Sequence, residues 1–197
     1  LPWALRRPAS PGERESVVRA FAWIAEQCEA APARLSHRDF KAANLHLRPD
    51  PGGCEKLVMI DLQGAFLAPP EYDLVCLLRD SHVPLPEDAV TALLATTRPQ
   101  LPDAPDPESF SRRFELLTLT RVGKDLSHYL HAAESRGDRR YLAFVPTAVA
   151  CLQRAVQAAE AWHPRLAEFA AIVAELPRAH AAEPRPVPRR RQPSRRS

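Results

Sequence analysis

The chain has 197 residues, 45% of them hydrophobic, which is enough for one domain with a real core and too few for two ordinary ones. Its formal charge of +3 misleads, because residues 183–197 hold six Arg against one Glu and leave about −2 on residues 1–182, so the body is not basic overall and a nucleic-acid or membrane reading would rest on the tail alone. Cys28, Cys54, Cys76 and Cys151 are scattered with no CxxC pair, which argues against a zinc ribbon or a disulfide framework and for free thiols in a reducing cytoplasm.

The chain starts at Leu1 and has one methionine, Met59, so it reads as a fragment or as the product of an unusual start codon. No charged-then-apolar leader opens it, and no uninterrupted apolar run reaches the ~18 residues that cross a bilayer. Ser10-Pro11-Gly12-Glu13 combines a capping Ser, a Pro at the first helical position and a Glu three residues on, and predicts a helix to about Glu29. Val17, Val18, Phe21, Ile24, Ala25 and Cys28 give that helix one apolar face. Leu45-His46-Leu47 and Leu57-Val58-Met59-Ile60 flank the turn residues Pro49-Asp50-Pro51-Gly52-Gly53, so they fold as a hairpin whose open end brings Asn44 and Asp61 together. Beyond Tyr72 the pattern is helical, with segments at 73–80, 86–97, 107–134, 138–145, 147–162 and 164–176 and a Pro-rich loop from Pro99 to Pro107. The expected class is α+β, mainly α-helical, with a small β-hairpin; residues 1–182 form one domain and 183–197 a disordered Pro/Arg-rich tail.

Phosphoryl transfer needs a carboxylate near the acceptor hydroxyl and oxygen ligands that hold Mg²⁺ against the nucleotide phosphates. His37-Arg38-Asp39-Phe40-Lys41-Ala42-Ala43-Asn44 supplies both in one loop: Asp39 to accept or orient the hydroxyl proton, Asn44 to ligate the metal through its amide oxygen. Asp61, 17 residues on, is the second metal ligand, and the hairpin is the reason two such distant residues can share one ion. Taken singly, Asp39 reads as a cap, Asn44 as a turn residue and Asp61 as a strand end; the set, with its spacing, reads as a kinase site.

These residues, with Val58-Met59-Ile60-Asp61-Leu62-Gln63-Gly64-Ala65 and Pro69-Pro70-Glu71-Tyr72-Asp73-Leu74, then Leu77-Leu78-Arg79-Asp80, resemble the aminoglycoside phosphotransferase and choline kinase group of the protein-kinase-like fold. Within it the chain looks closest to the sugar kinases that phosphorylate N-acetylmuramate and N-acetylglucosamine at the anomeric carbon. Leu62, Gly64 and Pro69 depart from that pattern, whereas Asp61 and Tyr72-Asp73-Leu74 keep it. The resemblance implies that Asp73 braces the catalytic loop, although it is equally placed to cap a helix beginning at Leu74. It also implies that His37 holds the loop backbone against Asp61, and that Arg79 and Asp80 face the acceptor; the alternative for that pair is an exposed charge pair at a helix end. Lys41 is either a phosphate contact or a surface lysine.

His-Arg-Asp-Phe-Lys-x-x-Asn also nearly reproduces the loop of protein Ser/Thr kinases, but no Asp-Phe-Gly or Ala-Pro-Glu occurs and Asp73 follows Asp61 by 12 residues, leaving no activation segment. The three lysines are 41, 56 and 124, so none precedes the catalytic loop to grip the α- and β-phosphates of ATP. The resemblance therefore covers a C-terminal lobe, roughly residues 12–176, with the N-terminal nucleotide lobe absent. In order of preference, the chain is the catalytic lobe of an ATP- and Mg²⁺-dependent kinase of a hydroxyl-bearing small molecule, a truncated lobe that binds a ligand or protein without catalysis, or a helical interaction domain. The near-neutral body favours an amino sugar over a polycationic aminoglycoside as acceptor.

Overall fold

The computed structural model describes residues 1–50, 52–102 and 105–177; the Pro/Arg-rich tail expected to be disordered lies outside them. Seven α-helices and four short strands are described: α1 (Pro2–Leu5), α2 (Pro11–Glu29), β1 (Arg34–Ser36), β2 (Leu45–Pro49), β3 (Glu55–Met59), β4 (Phe66–Ala68), α3 (Tyr72–Leu78), α4 (Glu87–Thr97), α5 (Pro107–Arg136), α6 (Val145–Trp162) and α7 (Ala167–Ala174). The protein is mainly helical with two small sheets, in agreement with the expected class.

Local chemistry explains the helix limits. At α2 the Glu13 amide donates to the Ser10 hydroxyl at 3.1 Å and the Ser10 amide to the Glu13 carboxylate at 2.6 Å, the reciprocal cap that the sequence specified. α5 starts with Asp106 accepting from the Ser109 amide at 2.8 Å, has Pro107 in its first turn, and ends where Gly137 adopts φ 68°, a left-handed conformation that favours glycine. Segment 138–145 is not an α-helix but a 3₁₀ stretch, Arg139–Phe144, that runs straight into α6. α6 begins at Val145 rather than 147 because Pro146 occupies a first-turn position, where its missing N–H leaves no bond unmade. The 73–80 helix ends at Leu78, which leaves Arg79 and Asp80 beyond it.

Two apolar clusters share α5. Its Leu116, Leu119, Val122, Leu126 and Leu130 pack against Val145, Val149, Leu152 and Val156 of α6, together with Ile24 of α2 and Ile172 of α7. Its Phe114 and Leu117 face the other way, onto Val75 and Leu78 of α3 and Val90 of α4. Each such side chain, taken fully out of water, stabilises the fold by about 1.5–3 kcal/mol before entropy is counted. Arg139–Trp162 has the length and mean apolarity of a membrane span, which a count of uninterrupted apolar residues misses; here its apolar face is packed against α5 and α7.

The strands form two antiparallel ribbons. β2 and β3 make the expected hairpin, with Leu45 opposite Met59 and Leu47 opposite Leu57, and Gly53 at φ 81° closes the turn. The second ribbon, β1 with β4, pairs Ser36 with Phe66 and Leu35 with Leu67. Its three-residue strands are too short for a period-2 pattern to stand out, so it went unpredicted.

Candidate active site

The two ribbons explain how the site forms. β1 pairs with β4 just outside the segment 37–65, and β2 pairs with β3 inside it, so the loops 37–44 and 60–65 lie between two closed ladders and must face each other. The Ile60 amide donates to the Asn44 carbonyl at 3.1 Å, extending the hairpin ladder by one rung and bringing Asp61 next to Asn44.

Polar contacts fix the backbone of the first loop. Asp73, in the first turn of α3, accepts from the His37 amide at 2.7 Å and from the Arg38 amide at 3.1 Å. Both carboxylate oxygens are engaged with the loop, and since the helix begins at Tyr72, Asp73 is not its cap. The buried His37 ring donates from Nε2 to the Ile60 carbonyl at 2.8 Å, which ties one loop to the other immediately before Asp61. Cys76 on α3 adds a weaker S–H bond to the Arg38 carbonyl at 3.3 Å, and burial pushes its thiol pKa up. Arg38 at φ 77° and Asp61 at φ 67° are left-handed non-glycine residues, each costing about 1–2 kcal/mol that the surrounding bonds must offset.

Asp39 is half-buried and each of its oxygens has a cation. Oδ2 meets the Lys41 ammonium at 2.7 Å and the Asn44 amide nitrogen at 3.3 Å; Oδ1 meets the Arg121 guanidinium at 2.9 Å. Burial pushes the Asp39 carboxyl up, but the hydrogen bond and charge of Lys41, with the charge of Arg121, outweigh it and hold the group below the usual carboxylate range. Asp39 is therefore ionised at neutral pH and weakly basic, suited to accept a hydrogen bond from a hydroxyl and aim it rather than to remove its proton early. Asn44 also donates to the Asp39 carbonyl at 2.8 Å, so its amide nitrogen is committed and its oxygen is the atom available to a cation. The exposed Asp61 has one carboxylate oxygen held by the Gln63 amide. Two hard oxygen donors on facing loops suit Mg²⁺, which usually takes few protein ligands and completes its shell with phosphates and water. Among the described residues no group of three or more His, Cys, Asp or Glu could hold a metal by itself.

Arg121 escaped the sequence reading. It lies on the Phe114, Leu117, Arg121 stripe of α5 that faces α3, and only 9% of its side chain is exposed. It also contacts Asp125 one turn on and the Cys76 sulfur at 3.4 Å. A lone cation in an otherwise apolar stripe is the signal that could have found it, since such a charge requires a buried partner. Arg79 and Asp80 are elsewhere. Arg79 is buried, ion-paired to Glu87 and Glu115 and lying over the Phe114 ring at 5.2 Å, so the reading of an exposed charge pair is corrected: the helix ends before Arg79, which turns inward. Asp80 accepts from the His82 amide and ring, both at 2.9 Å, and with Arg79 borders a separate cavity of about 450 Å³ against α6.

A family model described as "Phosphotransferase enzyme family" matches residues 2–110, more than half of the chain. The chain is 34% identical over 152 residues to an N-acetylmuramate/N-acetylglucosamine kinase of Pseudomonas aeruginosa, covering 74% of this chain and 42% of that protein. A protein of the same description from Pseudomonas putida is 31% identical over 153 residues, 75% of this chain and 42% of its own length. A third, from Caulobacter vibrioides, is 30% identical over 129 residues, 64% and 34% respectively. The chain thus spans about two-fifths of the curated relatives it matches.

Proposed function

The chain belongs to the phosphotransferase enzyme family, and on that premise we propose that it carries the catalytic half of an ATP- and Mg²⁺-dependent kinase that phosphorylates a hydroxyl of an amino sugar in the cytoplasm. The observation that carries this reading is the contact of Asp39 with Asn44 on a loop that the ribbons, His37 and Asp73 hold against the loop carrying Asp61. In this reading Asp39 orients the acceptor hydroxyl, Lys41 moves from Asp39 to the transferring phosphate, and Asn44 and Asp61 hold the metal. Bound Mg²⁺ would offset the charge on the nucleotide phosphates. His37 and Asp73 touch no reactant and position the loop. Neither nucleic acid nor membrane is assigned as a partner, given a body charge of about −2.

We further propose that a nucleotide-gripping lobe outside these residues completes the enzyme. Three observations support it: no lysine precedes Asp39, the relatives are more than twice as long as the matched region, and both ribbons turn an apolar face to solvent. Strand alternation puts Leu47, Leu57 and Met59 on one hairpin face at 65%, 55% and 53% exposure, and Leu35 and Leu67 on one face of the other ribbon at 74% and 68%. Apolar faces of this kind mark surfaces that another body covers. We assign the acceptor to the surroundings of Asp39 rather than to Arg79 and Asp80, because the Arg79 guanidinium is already bound to Glu87 and Glu115.

The test is ATP-dependent phosphorylation of N-acetylglucosamine by the full-length protein and by its Asp39→Asn variant, with the 197-residue chain assayed alongside. Asp39→Asn is expected to lower turnover by about 10²–10⁴-fold. The chain alone should be inactive, because metal ligands without a phosphate grip leave ATP unpositioned. Full turnover by Asp39→Asn would remove Asp39 from the reaction.

A further inference from the structure

α3 does different work with its two faces. Val75 and Leu78 join the apolar cluster of Val90, Phe114 and Leu117, while Asp73 and Cys76, three residues apart and so neighbours on the helix surface, bind the catalytic loop. Between them they hold both peptides that flank Arg38, the residue at φ 77°. Asp73 Oδ1 accepts from the Arg38 amide at 3.1 Å, and the Cys76 thiol donates to the Arg38 carbonyl at 3.3 Å. That carbonyl belongs to the peptide leading into Asp39. A left-handed non-glycine residue persists only where its surroundings hold it, so the Cys76 bond helps fix the direction in which the Asp39 side chain leaves the backbone.

The same sulfur has a second partner. Nε of Arg121, on α5, donates to it at 3.4 Å, and Nη2 of that guanidinium meets Asp39 Oδ1 at 2.9 Å. Both nitrogens belong to one rigid planar group, so an anchor on the first aims the second. Of the four free cysteines only Cys76 is buried, and burial pushes its thiol pKa up against the pull of the Arg121 charge. The thiol therefore keeps its proton at neutral pH and can donate to the loop while it accepts from the helix. Sulfur suits the place, because it bridges 3.3 and 3.4 Å, longer than a hydroxyl spans, and behaves otherwise as a small apolar side chain.

We propose that Cys76 is a positioning residue for Asp39: one sulfur holds both the peptide that leads into Asp39 and the guanidinium that meets its carboxylate. Cys76 touches no reactant. Its effect on rate rests on the phosphoryl-transfer reading, whereas its hold on Arg121 is independent of any activity.

The test compares Cys76→Ala, Cys76→Ser and Arg121→Gln in the full-length protein. Alanine is a good helix former and leaves α3 free to fold, and serine keeps a donor and an acceptor on the same Cβ. The first readout is the exchange rate of the Arg121 Nε proton by NMR, its signal identified by its loss in Arg121→Gln. Exchange should accelerate about tenfold or more in Cys76→Ala and return to within about threefold of the wild type in Cys76→Ser. The second readout is phosphorylation of N-acetylglucosamine. Cys76→Ala should lower kcat about five- to tenfold, the scale of one or two neutral hydrogen bonds, with KM for ATP within about twofold, because the phosphate and metal side of Asp39 is untouched. Added to Arg121→Gln, Cys76→Ala should cost less than it costs alone, since one of the thiol's partners has already gone. Wild-type exchange in Cys76→Ala, a serine variant no better than alanine, or full additivity with Arg121→Gln overturns the assignment. If the exchange results hold but ATP phosphorylates no sugar with any form of the protein, the transfer reading falls and the role of the thiol in holding Arg121 stands. Normal turnover with unchanged exchange in Cys76→Ala gives the reverse.

Discussion

The α5–α6 bundle and the two ribbons solve opposite problems. The bundle buries an apolar stripe on every helix, and Leu119, Val145, Ala148 and Ala155 have no exposed surface at all. The ribbons bury almost nothing and turn leucines outward, and the loops between them are held by a handful of polar bonds from α3 and α5. Stability and the proposed chemistry thus fall to different parts of the chain, and the two loops can bear two left-handed residues because the bundle supplies the stability they lack.

That division can be attacked from both ends. Leu119→Ala, in the middle of the bundle, should lower the unfolding free energy by about 2–5 kcal/mol in a denaturant titration, through lost burial and the cavity left behind. A loss under about 0.5 kcal/mol, the range of surface changes, would show that the bundle is not where the stability lies. Asp73→Ala should cost less, about 1–3 kcal/mol, because it strips two backbone amides of their acceptor while the bundle stays intact. Its larger effect should be on the loop: amide hydrogen exchange at His37 and Arg38 should accelerate far more than at any α5 amide. Equal acceleration in both regions would mean that loop and bundle unfold together.

The charge contacts give a third test. Arg121 helps hold the Asp39 carboxyl below its ordinary value, so Arg121→Gln should raise it, read as an upward move of the Asp39 midpoint in an NMR titration. The sign follows from linkage: with a depressed pKa, Asp39 favours the folded state above the unfolded carboxylate pKa of about 3.9, and that contribution disappears as pH falls through the lower folded value. The variant loses part of this acid-side dependence, and an unmoved or lowered midpoint would deny Arg121 its role. The smallest effect belongs to the outward leucines. Leu47→Ser should leave the stability of the chain within about 0.5 kcal/mol, as at other exposed sites. In the full-length protein the same change should lower the melting temperature, if a second lobe covers the hairpin; no difference between the two backgrounds would count against such a lobe.

Much of the site was written in local sequence. The His37 to Asn44 spacing, the turn at Gly53 and the Asp61 position after a short strand announced two loops joined by a hairpin, and the register of Leu45 with Met59 meets that expectation. The Ser10–Glu13 capping box and the long helix after Asp106 were equally legible, since caps and apolar periodicity act within a few residues. What the sequence left open was decided at long range. Phe66–Ala68 finds Arg34–Ser36 across some 30 residues, and that ribbon closes the far ends of the loops that the hairpin joins. Arg79 turns inward to Glu87 and Glu115 because α3 stops one residue before it. Arg121 reaches Asp39 across 82 residues, a contact no local pattern encodes. The sequence by itself determined which carboxylate and oxygen donors share the two loops, through residue type and spacing. Packing α5 against α3 decided which cations stand around the carboxylate, because only a folded core brings such distant charges within reach and makes their desolvation tolerable.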